Sequence, residues 1–239
     1  MLRKPEDGVD LSSMSKLRTA ADLVAAQRYR ELRATLERGT FPFVLFRRNR
    51  LLIERLPLQG SEDSSLPPDG LRVEWAGPAD MDALCRVRPR PEAFDRSFSD
   101  GHLCAIGWLE EEPVTLEWIH CTRRHVSAAN GYSLKLPPGS AWLLGSYVRP
   151  DMRGRRLYRR HTRALAPLLR ERGLRQGYCA VEVDNPASRK AHLAAGYEEL
   201  LQFHVLRVLG VTRHTVRDLR VEGAPARSGW GPWSMSIED

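Results

Sequence analysis

Between residues 141 and 195 the chain twice sets a strand directly against a helix. This repeat limits the available folds more than any other feature. Ala141–Val148 is strongly apolar, Pro150 ends its ladder, and a helical pattern runs from about Arg153 to Arg172 with Leu157, Ala164, Leu165 and Leu168 on one face. Pro167 is expected to kink that helix or end its regular part. Tyr178–Asp184 forms a second strand, and Asn185 and Pro186 then cap and open a helix that Gly196 stops after Ala195. Each junction offers free amides at the positive end of a helix dipole, which suits an anion. In the first, Tyr147-Val-Arg-Pro-Asp-Met-Arg-Gly-Arg-Arg-Leu-Tyr158, Gly154 bares the backbone and Arg153, Arg155 and Arg156 surround it with charge. Two such junctions point to a ligand carrying several phosphates. The plainer alternative for each is a capped helix start with a solvated basic face.

The rest of the chain supports a mixed sheet. Leu71–Ala76 reads as a short strand, followed by a helix from Pro78 to about Val87. Leu103–Leu109 and Val114–His120 form a hairpin around Glu110-Glu-Glu-Pro113, and Leu201–Leu209 is a further strand. Thr122 to Ser140 is polar, with turn signals at Asn130-Gly131 and Pro137-Pro-Gly139. A hairpin followed by crossover units implies an α/β fold whose sheet is mixed. The expected organisation has four parts. Residues 1–60 form an N-terminal extension, with a helix over Leu17–Arg38 and a hairpin of Phe41–Phe46 and Leu51–Leu56 joined by Arg47–Arg50. Residues 61–70 form a linker, residues 71–215 the main domain, and residues 216–239 a C-terminal strand or tail.

Charge and cysteine usage exclude several classes. No apolar run approaches the roughly 18–20 residues that span a bilayer, and the N-terminus lacks the apolar core of a signal peptide, so a cytoplasmic protein is expected. Cys85, Cys104, Cys121 and Cys179 form no CxxC pair and read as reduced buried thiols, with no metal site expected. A net charge of +7 admits nucleic acid, anionic lipid or a polyphosphate ligand, or simply an arginine-rich background. The basic residues cluster at one helix start without an interleaved aromatic platform, which disfavours nucleic acid.

Taken together, the two junctions resemble the GNAT superfamily of acetyl-CoA-dependent N-acetyltransferases over roughly Leu71 to Leu209. In that family a strand ending in V-x-P leads into R/Q-x-x-G-x-G/A, which cradles the CoA pyrophosphate. Val148 and Pro150 match, Arg153 takes the Arg/Gln position, and Gly154 is a frequent extra glycine. Asn185, Ser188, Gly196 and Tyr197 match the later Asn, small residue and Gly-Phe pattern. The resemblance implies a mostly antiparallel central sheet with a parallel central strand pair and flanking helices. It implies acetyl-CoA as acyl donor, and Tyr147, Val148, Arg153, Gly154, Arg155, Arg156, Leu157, Tyr158, Asn185 and Ser188 as its binding residues.

Three positions depart from the family pattern. Arg156 and Tyr158 stand where Gly and Gly or Ala are usual, and His192 stands seven residues after Asn185, where many members carry the tyrosine that protonates the leaving thiolate. An imidazole titrates near neutral pH and can serve as that acid, with Tyr197 and Tyr158 as substitutes. Attack requires a deprotonated amine, and Glu117, between Leu116 and Trp118, is the candidate base because apolar burial would raise its pKa. His120 and Glu182 compete for the role, and a surface carboxylate is the plain alternative for Glu117. The expectation is direct acetyl transfer to a primary amine of a small molecule or metabolite, in a chain that can dimerise with itself. The alternatives are a non-catalytic acyl-CoA-binding or regulatory module, and an acyltransferase using longer acyl-CoA or an acyl-carrier-protein donor.

Overall fold

The computed structural model describes residues 46–58, 70–208 and 211–237. The helix expected over Leu17–Arg38, nearly all of the strand Phe41–Phe46 and most of the 61–70 linker lie outside them. Nine strands form one twisted sheet among the described residues, in the order β2 (Leu71–Ala76), β3 (Leu103–Leu109), β4 (Glu112–His120), β7 (Ser140–Val148), β8 (Gln176–Glu182), β1 (Phe46–Pro57), β9 (Glu198–Val208), β10 (Val211–Asp218) and β11 (Arg227–Trp230). Every adjacent pair is antiparallel except β7 and β8, which run parallel as expected of the two crossover units.

The first strand differs from the sequence-based expectation in two ways. Arg47–Arg50 is not a turn: it lies inside one continuous strand, β1. Nor does β1 stand apart as an extension, because its Leu51–Pro57 segment pairs with all of β8 while its other edge pairs with β9. The reason is visible in burial. Leu51, Leu52, Ile53, Glu54 and Leu56 are all buried, so both faces of this strand are covered and the simple alternation of a half-exposed hairpin is absent. The polar stretch 122–140 also contributes structure. β5 (Arg124–Ser127) and β6 (Tyr132–Lys135) pair around Asn130-Gly131, and β12 (Trp233–Ser236) joins β6 to complete a second, three-stranded sheet.

Alternation along β4 divides the core. Leu116 and Trp118 pack with Ala83, Leu84 and Val87 of α1 (Met81–Val87) and Phe94 of α2 (Pro91–Ser99). Farther along the same face, Trp142, Tyr178, Ile53 and Phe203 pack under the small sheet through Tyr132 and Leu134. The opposite face carries α3 (Leu157–Glu171) and α4 (Pro186–Ala195), with Leu165 and Leu169 against Ala105, Ile119 and Leu143. Pro167 does not end α3, which stays helical to Glu171. Asn185 Oδ1 accepts from the Ser188 amide at 3.1 Å, and Gly196 closes α4 in the left-handed region (φ +96°). On that face His161 of α3 bonds Thr115 of β4 (Nδ1 to Oγ1, 2.7 Å), and burial pushes its pKa down to about 4, so it joins helix to sheet as a neutral group. No helix of the described residues is long and apolar enough to cross a membrane.

Because Ile53 is fully buried in the strand that fills the sheet between β8 and β9, Ile53→Ala is expected to cost about 2–4 kcal/mol in urea unfolding. A loss under about 1 kcal/mol would contradict the central placement of β1.

Candidate active site

The parallel ladder between β7 and β8 is short. It holds Ser140↔Gln176, Ala141↔Gly177 and Trp142↔Tyr178 and then stops, although both strands continue. Beyond Trp142 the edge of β7 that faces β8 has no ladder partner, so its amides line a cleft. On its other edge β7 bulges against β4: Leu144 pairs with Trp118 and Tyr147 with Leu116, leaving Gly145 and Ser146 opposite Glu117 alone. Gly145 takes φ +65°, which the extra residue of such a bulge requires and which a β-carbon would resist.

The cleft opens at its upper end on the basic turn. Gly154 (φ +80°) and Arg156 (φ +58°) are both left-handed, and no atom lies within 4 Å of where a β-carbon on Gly154 would sit. Arg156 thus holds, at a steric cost, the conformation that the usual glycine adopts freely. Its side chain is exposed and does not fill the turn, as are those of Arg153 and Arg155. The Arg153 guanidinium lies 5.4 Å from the Tyr147 ring, and its Nε donates to the Val148 carbonyl at 3.3 Å. Arg159, in the first turn of α3, keeps its Nε buried without a partner. Leu157 is the exception among the expected binding residues. Its side chain packs with Leu71, Val114 and Met152, which leaves only its backbone for a ligand. A cationic turn with bare amides and an unused buried donor fits a phosphate-bearing ligand.

Below the turn, a chain of buried and half-buried polar side chains crosses the cleft. Ser146 Oγ donates to Glu117 Oε1 at 2.6 Å. Glu117 is buried, and burial lifts its carboxyl to about 7 despite that hydrogen bond. The Tyr158 hydroxyl bonds Ser146 and lies 3.2 Å from the Tyr197 hydroxyl, and burial pushes both phenols well above their ordinary range. The Tyr158 ring stacks on His192 at 5.0 Å, and Tyr197 lies 4.7 Å from the same imidazole. His192 Nδ1 sits 2.5 Å from Glu54 Oε2, while Nε2 faces Ser188 Oγ at 3.4 Å.

The structure therefore gathers Glu117, Tyr158, His192, Tyr197 and Ser188 around one cleft. It separates the competing bases: Glu182 is exposed, and the His120 ring lies tilted against His102 at 4.5 Å. Two polar participants were not identified from sequence. Ser146 looked like one more residue of an apolar strand, and Glu54 sits 138 residues from His192. The cysteines also differ from expectation, since Cys121 is exposed. Cys179 joins Glu54 and His192 with ligand-capable atoms within 4.8 Å of one another, a convergence the spacing did not signal.

A protein-family model described as the acetyltransferase (GNAT) family matches residues 76–197. Solved structures with a similar fold include a GNAT-family protein from Novosphingobium aromaticivorans, at 16% identity and TM-score 0.45, covering 67% of this chain and 63% of that one. A GCN5-related N-acetyltransferase from Sphaerobacter thermophilus matches at 15% identity and TM-score 0.48, covering 72% of this chain and 53% of that one. An aminoglycoside N-acetyltransferase solved with CoA matches at 16% identity and TM-score 0.43, covering 53% of this chain and 91% of that one. The chain thus spans less than two thirds of the length of the first two. No curated protein matches it.

Two outcomes follow from this geometry. Glu117 holds a proton up to about pH 7 in the fold but only to about 4.5 when unfolded, so its contribution to stability is present at low pH and declines as pH rises through that window. Glu117→Gln should abolish up to about 3 kcal/mol of that decline in denaturant titrations between pH 5 and 8; an unchanged pH slope would show the carboxyl to be solvated. Arg156→Gly should raise stability by about 0.5–1 kcal/mol by relieving the left-handed backbone, and a lower melting temperature would contradict that conformation.

Proposed function

The chain belongs to the GNAT family of acetyltransferases, and on that premise we propose that it transfers a short acyl group, acetyl foremost, from acyl-CoA to the primary amine of a small molecule by direct attack. The observation that carries this reading is the buried Glu117 carboxyl, poised near neutrality at the β7 bulge. A base whose pKa lies near the working pH can take a proton from an ammonium group and later release it to water.

Each residue then has a task. The amides of the 153–158 turn, with Arg153, Arg155 and Arg156, hold the donor's phosphates, and Asn185 and Ser188 border its arm. The amides of Gly145–Val148 that face the cleft polarise the thioester carbonyl. Glu117 removes a proton from the acceptor ammonium, the freed lone pair forms the C–N bond, and the nitrogen gives up its second proton to water as the C–S bond breaks. His192 delivers its Nε2 proton to the departing sulfur. The products are an amide and a free thiol, and Glu117 and His192 exchange their protons with water to reset. Tyr158, spanning from Ser146 to His192, walls the reacting end of the cleft and favours short acyl groups. The exposed side chain of Arg156 leaves the cleft clear, which favours turnover over a purely ligand-binding module.

Steady-state transfer from acetyl-CoA to a panel of primary amines should give a kcat/KM that rises with pH through about 7, the value to which burial lifts Glu117. Glu117→Gln should lower kcat by roughly 10²–10⁴-fold. Turnover that ignores both the pH and this substitution would overturn the assignment of the base.

A further inference from the structure

Glu54 lies on β1, outside the residues 76–197 that match the family, and it is fully buried. It pairs across the ladder with Cys179, and its Oε2 meets His192 Nδ1 at 2.5 Å. A buried carboxylate is costly unless a cation or good donors face it. Its Oε1 has no partner, and Cys179 Sγ, 3.8 Å from Oε2, is a weak donor. His192 is therefore the group that makes this burial tolerable. The imidazole is also held in place, stacked on Tyr158 (15° between planes) and packed against Tyr197. Turning the ring over would break the contact with Glu54 and aim Nε2 away from Ser188.

We infer that Glu54 is a positioning residue for the acyl transfer proposed above, on which this inference rests. Its carboxylate accepts from Nδ1–H and fixes the ring orientation, so that the doubly protonated ring presents its Nε2 proton toward the leaving sulfur. In the step, the Nε2–H bond breaks, the proton goes to the thiolate, and His192 is left neutral with its Nδ1–H still donated to Glu54. This is the arrangement by which a buried carboxylate orients a catalytic imidazole on other folds.

Glu54, Cys179 and His192 are also the donor types that bind zinc. The contact length decides between the two roles. Nitrogen and oxygen ligands, each about 2.0–2.2 Å from a tetrahedral ion, stand roughly 3.3 Å apart. Oε2 and Nδ1 at 2.5 Å are too close for that and fit a shared proton. The groups facing the imidazole are Glu54 from β1, Cys179 from β8, Tyr158 from α3, Tyr197 ahead of β9 and Ser188 on α4. Glu117 acts at longer range on Cys179, Tyr158 and Tyr197. Glu54 is the one carboxylate among them in contact with His192.

The test uses the full chain, with histidine nitrogen labelled for NMR, and acetyl-CoA kinetics on wild type, Glu54→Gln and Glu54→Asp. A downfield, slowly exchanging Nδ1 proton on His192 is expected in wild type and is lost in Glu54→Gln. That variant should lose about 10- to 100-fold in kcat, less than the acid itself supplies. KM for acetyl-CoA should stay within about twofold. Glu54→Asp, which keeps the charge, should recover part of the loss. Wild-type turnover matched by Glu54→Gln would overturn the inference alone, as would one equivalent of zinc that copurifies with wild type and is lost in Cys179→Ser. A wild-type chain without turnover on any amine would instead overturn the acyltransferase reading beneath it.

Discussion

The site exists because β7 and β8 stop pairing after Trp142 and Tyr178. A continuous parallel ladder would consume the backbone amides of β7 and leave no room between the strands. Two constraints keep the pair apart. The bulge at Gly145 and Ser146 turns β7 away while holding it to β4. On the other side β1 fixes the full length of β8, so β8 cannot follow β7. The cleft is thus a place where irregular backbone is held open by regular pairing on both flanks.

Into this opening the chain places more buried and half-buried polar groups than a stable core needs. Glu117, Ser146, Tyr158, Tyr197, His192 and Glu54 form one connected series from β4 to β1. Apolar residues of similar volume would pack there at lower cost, since buried carboxyl groups are tolerated only with good partners. A series of this kind belongs where protons must move between defined atoms. The left-handed Arg156 points the same way: it accepts backbone strain at the turn in exchange for a positive charge beside the proposed phosphate site.

What could be read from the sequence was local. The strand–turn–helix junctions, the cap made by Asn185 and the stop at Gly196 each depend on residues within a few positions; the cap and the stop stand where the spacing placed them, while α3 starts at Leu157 and not at about Arg153. The burial of Glu117 was legible because apolar neighbours flank it on a strand. The misreadings were non-local. Nothing near Arg47–Arg50 reveals that β1 will insert between β8 and β9, since that pairing joins segments more than a hundred residues apart. Glu54 was hidden for the same reason. A glutamate in an apolar run looks like an edge residue until the strand beside it supplies a histidine-bearing helix. Ser146 was hidden because a bulge depends on register, which periodicity does not encode.

Calorimetric titration of the full chain with acetyl-CoA shows whether the parting of β7 and β8 holds an acyl-CoA, as proposed. Saturable binding of one acetyl-CoA per chain is expected, weakened by salt because exposed arginines contribute and weakened further when a bulky residue replaces Gly154. No heat of binding at millimolar acetyl-CoA, or binding indifferent to both salt and Gly154, would contradict it.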